Sequence, residues 1–443
     1  MKSEIRMPKS GSSQRTEDRC AAGRFEALRS WGFGFLSDLG IRLSNLCLLL
    51  LLCALMRGAS AADLTNTAPA PFFRFRDRPL EYTGPEKDEG ELQYVKEVNI
   101  GWFGPHDPTN HLAADMWWAA SLAIEEANEQ GGFKDLPFHL VPRWAVDPWG
   151  TGVSQLTRMI YDEQALAVLG SVDSPSTHLA EQVVAKAQLP LVSPITTDKS
   201  VTLAGVSWMF ACAPTDDAIA RVLVADVLGA LRGTSNKLVL LSATDHESRM
   251  TAKEVFKEFS RRERLPDYRF DVPPGVLDIQ GQLEALARIQ PAAVLIVAGA
   301  EDAAKLVRVV RDKAPDAAIF GTHALGRFRC GELAGQPAEG VRLPLLFVPN
   351  PTDPATINFL DKFMAAHHRA PDYAAAFSYD ATRLLLEAIR VGGLNRARIR
   401  EAIRQLSPWK GITGPISWDG TGQNTRTNIW MGIIRNGAVM PIR

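Results

Sequence analysis

Cysteine is scarce in this chain: five among 443 residues, with no Cys-x-x-Cys pair. That excludes a small disulfide-stapled scaffold and a zinc ribbon. An excess of either charge is missing too. Forty-nine Lys and Arg stand against 50 Asp and Glu, a net charge of −1, so no global basic field draws the protein to nucleic acid. Long apolar runs are absent but for Leu46–Met56, which as a helix would span about 16 Å, roughly half the hydrocarbon thickness of a bilayer. A polytopic membrane protein is excluded. The sequence also has no Gly-x-Ser-x-Gly elbow, no P-loop, no Gly-x-Gly-x-x-Gly and no His-Glu-x-x-His, and its eight histidines are scattered. An enzyme is not favoured.

What remains is ordinary soluble composition, 46% hydrophobic and 22% charged, on a chain long enough for two or three domains. The apolar run has Arg42 before it and Ala59-Ser60-Ala61 after it. A positive flank, a short apolar core and an A-x-A site read as a secretory signal peptide over residues 1–61, cleaved after Ala61, and so as a periplasmic protein. A retained single-pass anchor is the alternative. Export leaves Cys212 and Cys330, expected as two separate buried thiols. Residues 62–95, dotted with Pro69, Pro71, Pro79 and Pro85, read as a linker or strap.

From Val98 onward short apolar strands alternate with amphipathic helices: EVNIGWFGP, ending in a Gly/Pro turn, then DMWWAASLAIEEANEQGG stopped by Gly131-Gly132, then FHLVPRWAV, and so on through LAVLGSV, KLVLLSAT and AAVLIVAGA. Such alternation means parallel sheets covered on both faces. At least seven strands in two groups predict an α/β protein of two doubly wound lobes, in preference to a (β/α)8 barrel.

In open parallel sheets ligands sit outside the carboxyl ends of the strands. One such end is Gly170–Thr177, where Ser174 and its neighbours could hold an anion at a helix start; Asp173 or Ser176 could equally serve only as a cap. A second is Ser193–Lys199, with Ile195, Thr196 and Thr197. A third is Gly299–Asp302, where Glu301 or Asp302 could pair with an ammonium group or merely complement the helix dipole. Trp102, Trp117, Trp118, Trp144 and Trp149 crowd one segment. Core is the commoner fate of such a cluster, and Trp102, at a strand end, is its best cleft candidate. His246 follows another strand end and either reaches the cleft or stays in a solvated loop.

Four segments in order carry a family resemblance: ALAVLG, GSVDSPSTHLAEQVVAKAQLPLVSPITTDKSVT, FSYDATRLLLEAI and GITGPISWDGTGQNTRTNIWMGIIRNG. Residues 96–443 resemble the type I periplasmic substrate-binding proteins of the leucine/isoleucine/valine-binding family of ABC importers. The resemblance implies two lobes joined by three crossings: lobe one from 96–214 and 348–425, lobe two from 215–347 with a C-terminal strand at 426–443. It implies an amino acid's carboxylate held by Ser174 and Thr197 with main chain near Ile195 and Thr196, and its ammonium held by Asp302 or Glu301. It further implies a non-enzymatic monomer that needs no cofactor or metal, captures an amino-acid-like small molecule and delivers it to a membrane ABC permease. Departures from the family pattern near His246–Glu247 and in the Trp-rich opening leave side-chain preference open. The rivals are a ligand-sensing clamp for a signalling partner, and an exported hydrolase or oxidoreductase on a flavodoxin-like sheet.

Overall fold

The computed structural model describes residues 90–92, 95–145, 147–203, 208–232, 237–275 and 280–442; the signal-peptide reading and most of the 62–95 segment lie outside them. Strand β1 (Val98–Phe103) is flanked by β2 (Phe138–Arg143) and β3 (Ala167–Gly170), followed by β4 (Leu191–Ser193) and β5 (Met209–Ala211). All pair in parallel, in the order β2-β1-β3-β4-β5. The second sheet repeats that order with β6 (Leu238–Ala243), β7 (Tyr268–Val272), β8 (Ala293–Val297), β9 (Ala318–Gly321) and β10 (Arg342–Leu345), running β7-β6-β8-β9-β10. A short hairpin, β11 (Trp409–Gly411) and β12 (Gly414–Ile416), stands apart. The chain then returns to the second sheet as β13 (Trp430–Arg435) and β14 (Ala438–Pro441), antiparallel on the β10 edge.

Period-two alternation explains the layering. In β6, Val239 and Leu241 enter one apolar cluster with Val294 and Ile296, while Leu238 and Leu240 enter another with Leu295 and Phe320. In the first sheet Ile100 and Trp102 face one cluster and Phe103 and Val168 the other. Each sheet therefore has a core on both faces, as a strand apolar at every position requires. Helices Tyr373–Gly392 and Arg396–Gln405 pack on the first sheet's core. The chain thus passes between the two layers three times, after β5, after β10 and before β13.

The open edge at β5 is covered, not left bare. Trp418 Nε1 donates to Ala211 O at 2.8 Å, Ala211 N donates to Gly422 O at 2.9 Å, and the Asn424 amide reaches Cys212 O. Gly422 is required here: its φ is +81°, and a Cβ would stand 2.0 Å from Met209 O.

Cys212 and Cys330 are separate, buried and free. Of the tryptophans, Trp102 is wholly buried, Trp117, Trp118 and Trp144 pack against the core, and Trp149 is exposed. No helix among the described residues is long and apolar enough to cross a membrane.

Candidate functional site

Both sheets reverse their winding at the first strand, so switch points lie at the carboxyl ends of β1/β3 and β6/β8. A cavity of about 310 Å³ opens between those ends. The first layer contributes Leu112, Val172, Ile195 and Tyr373; the second contributes Asp245, Glu247, Ser248, Gly299, Glu301, His323 and Arg327. Caps fix the helix starts beside these strand ends, and the helix after β6 puts Glu247 and Ser248 into the lining. Asp173 accepts from Ser176 N at 2.8 Å to open helix Ser174–Ala187, and Asp245 accepts from Ser248 N at 2.9 Å to open His246–Arg261.

The predicted residues divide. Ile195 and Glu301 line the cavity. Ser174, Thr196 and Thr197 are gathered at one strand-end cluster but stand outside the lining. Ser174 Oγ and Thr196 Oγ1 are 3.2 Å apart and satisfy each other. Thr197 stands against Asp216, whose N–H donates to the Thr197 carbonyl at 2.8 Å.

Three expectations are corrected. Asp302 turns from the cavity because its carboxylate accepts from Gly275 N at 2.8 Å and Lys305 Nζ at 3.1 Å. Trp102 is core, not cleft: it has no exposed surface, it meets Trp117 edge-on at 5.8 Å, and its Nε1 donates to Pro105 O at 3.1 Å. His246 lies beside the cavity, not in its lining, with Nε2 3.3 Å from Asp198 Oδ2.

Sequence reasoning missed Glu247, His323 and Arg327. Glu247 sits in the lining without a hydrogen bond or ion pair to any described residue. Burial, then the charges of Asp173, Asp216, Asp245 and Asp198, push its carboxyl up to about 8. An acid so placed favours a cation beside it. Arg327, by contrast, is committed. Its Nε meets Asp372 Oδ2 at 3.1 Å and it donates to Leu112 O at 2.5 Å, tying the second layer to the first. His323 is buried with Nδ1 unpartnered, and burial together with the Arg327 charge lowers it to about 4, so it lines the cavity as a neutral imidazole. The only sequence signal for these residues is their place after β6 and β9, which the strand-end rule covers without saying which side chain faces inward. Next to the cavity, hydrogen bonds to Asp198 and Glu181 push His178 up to about 9.

Residues 97–438 match the periplasmic binding protein family. The chain belongs to that family. Periplasmic binding proteins are extracytoplasmic solute-binding proteins, not a family of enzymes. A Pseudomonas aeruginosa protein described as an amino acid binding protein is 25% identical over 341 residues, covering 74% of this chain and 87% of that one. Among solved structures, the branched-chain amino acid transporter substrate-binding protein LivJ of Streptococcus pneumoniae, in complex with isoleucine, superposes with a TM-score of 0.70 at 21% identity, covering 78% of this chain and 98% of its own. An R. palustris ABC-transporter solute-binding protein in complex with benzoate gives 0.68 at 17% identity, with 78% and 95% covered. These likenesses establish the type I periplasmic binding protein fold.

Proposed function

We propose that this protein is the exported solute-binding component of an ABC importer, taking a small amino-acid-like zwitterion between its two layers and delivering it to a membrane permease. Export with cleavage after Ala61 and action as a monomer belong to the same proposal. The observation that carries it is Glu247: a carboxyl group in the lining of a cavity of about 310 Å³, beside several acids and without a hydrogen bond or ion pair to any described residue. A ligand ammonium favours the ionised form of that acid and pairs with it, with Glu301 as a second acid at the rim.

The ligand carboxylate belongs at the opposite wall, where Val172 and Ile195 line the cavity and the start of helix Ser174–Ala187 stands behind them, its dipole favouring an anion. The hydroxyls of Ser174 and Thr196, bonded to one another across 3.2 Å behind the lining, exchange that bond for the ligand carboxylate as the wall adjusts to it. Contacts from both walls exist together only when the layers are close, so ligand stabilises closure.

A thermal-shift panel of α-amino acids, amino-acid amides and aromatic acids on the purified protein tests this. The proposal expects one or more α-amino acids at about 100 times Kd to raise Tm through roughly 2.7 kcal/mol of added stability. A panel in which no amino acid shifts Tm while an aromatic acid does would overturn the amino-acid assignment.

A further inference from the structure

Beside the cavity, and apart from its lining, His178, Asp198 and His246 bring three ligating atoms within 4.8 Å of one another. His178 belongs to helix Ser174–Ala187 and Asp198 to the loop after β4, both of the first layer; His246 opens the helix that follows β6 in the second. We propose that these three side chains form a site for a divalent first-row transition metal of the Zn²⁺ type, bridging the two layers of the closed protein.

The spacing of the donor atoms suits a ligand set. His178 Nε2 and His246 Nε2 each stand 3.3 Å from the same oxygen, Asp198 Oδ2. Two ligands held at about 2.1 Å from a tetrahedral ion stand roughly 3.4 Å apart. The two rings meet edge to face with centroids 5.6 Å apart, so both Nε2 atoms converge from different directions.

Surrounding groups orient the donors as a metal site requires. Glu181 Oε1 lies 3.4 Å from His178 Nδ1, which leaves Nε2 as the outward nitrogen. Ser200 N donates to Asp198 Oδ1 at 2.8 Å, which occupies one carboxylate oxygen and leaves Oδ2 for the ion. Asp198 is 4% exposed, while the His246 side chain is 40% exposed, so a fourth position remains open to water or solute. An N₂O donor set suits Zn²⁺, Ni²⁺ or Co²⁺ and not Ca²⁺ or Mg²⁺, which prefer oxygen.

The position gives the metal a consequence. The site couples the layers only in the closed state, and His246 adjoins Glu247 of the cavity, so occupancy favours closure and holds the Asp245–Glu247 turn in place.

Isothermal titration of the metal-stripped protein with Zn²⁺ alone tests the site without reference to the cavity ligand. One Zn²⁺ per chain at micromolar Kd or tighter is expected, with at least a 100-fold loss in His178→Gln/His246→Gln. His246→Cys, which keeps a zinc ligand, should bind within about 10-fold of the parent, and Co²⁺ in the parent should give the visible bands of a four-coordinate ion. Failure to bind Zn²⁺, or Zn²⁺ binding unchanged in the double Gln variant, would overturn the site. Equal loss in His246→Gln and His246→Cys would do so as well, leaving His178–Asp198–His246 a hydrogen-bonded latch only.

Discussion

His323 carries a testable consequence of burial. Its pKa is lowered to about 4, first by burial and then by Arg327, against 6.5 for a free imidazole. Above 6.5 the ring is neutral in folded and unfolded chain alike and adds no pH dependence. As pH falls from 6.5 to 4 the unfolded chain takes up a proton that the folded one refuses, so stability is lost across that window, by about 3 kcal/mol in full. Urea unfolding should therefore show a midpoint that falls more, or rises less, between pH 7 and 5 in the parent than in His323→Gln, since the buried acids Glu247, Asp216 and Asp380 contribute slopes of the opposite sign to both proteins alike. Parallel slopes would mean that His323 is protonated in the folded protein. The same residue marks a limit of sequence reading. Thr322-His323 after an apolar strand is as consistent with a solvated loop as with a cavity wall, because the choice depends on where the other layer stands. Asp302 and Glu301 make the point again: adjacent acids in one first turn, of which one faces the cavity and its neighbour faces Lys305.

At the level of elements, apolar alternation and glycine stops were enough to place most strands and helices, since each strand feeds two cores and each long helix covers one. What escaped were elements without a period long enough to see. Strands β5, β11 and β12 are three residues each, and helix Arg396–Gln405 is dominated by charge. Helix Tyr373–Gly392 has its start fixed by Asp372, which accepts from Ala374 N at 2.9 Å and Ala375 N at 3.3 Å. The same helix pins the small hairpin. Asp380, fully buried, accepts from Ile412 N at 2.9 Å, Thr413 N at 2.8 Å and Thr413 Oγ1 at 2.7 Å. Asp380→Ala leaves those donors without a partner and should cost about 2–4 kcal/mol in chemical denaturation, with faster amide exchange confined first to residues 409–416. A loss under 1 kcal/mol would mean that water replaces the carboxylate and the hairpin is held by its own pairing.

For the whole molecule, two sheets wound in one order place both switch points on the same cavity; alternation gave the two lobes and the strand-end rule their candidate loops, while the facing of the lobes over one cleft came from the family resemblance. Which side chains meet across it was not legible, because those contacts join segments far apart in sequence. Arg327 reaches Asp372 and Leu112, and Lys199 Nζ lies 3.7 Å from Glu254 Oε2. Such pairs tie the halves together but give Glu247 no hydrogen bond or ion pair among the described residues, and the proposal assigns that place to the ligand's ammonium. Isothermal titration of the amino acid that gives the largest thermal shift, against the parent and Glu247→Gln, tests this most directly. The account predicts at least a 10-fold weaker Kd in the variant, about 1.4 kcal/mol, with the fold intact by circular dichroism. An unchanged Kd in a folded Glu247→Gln protein would contradict it.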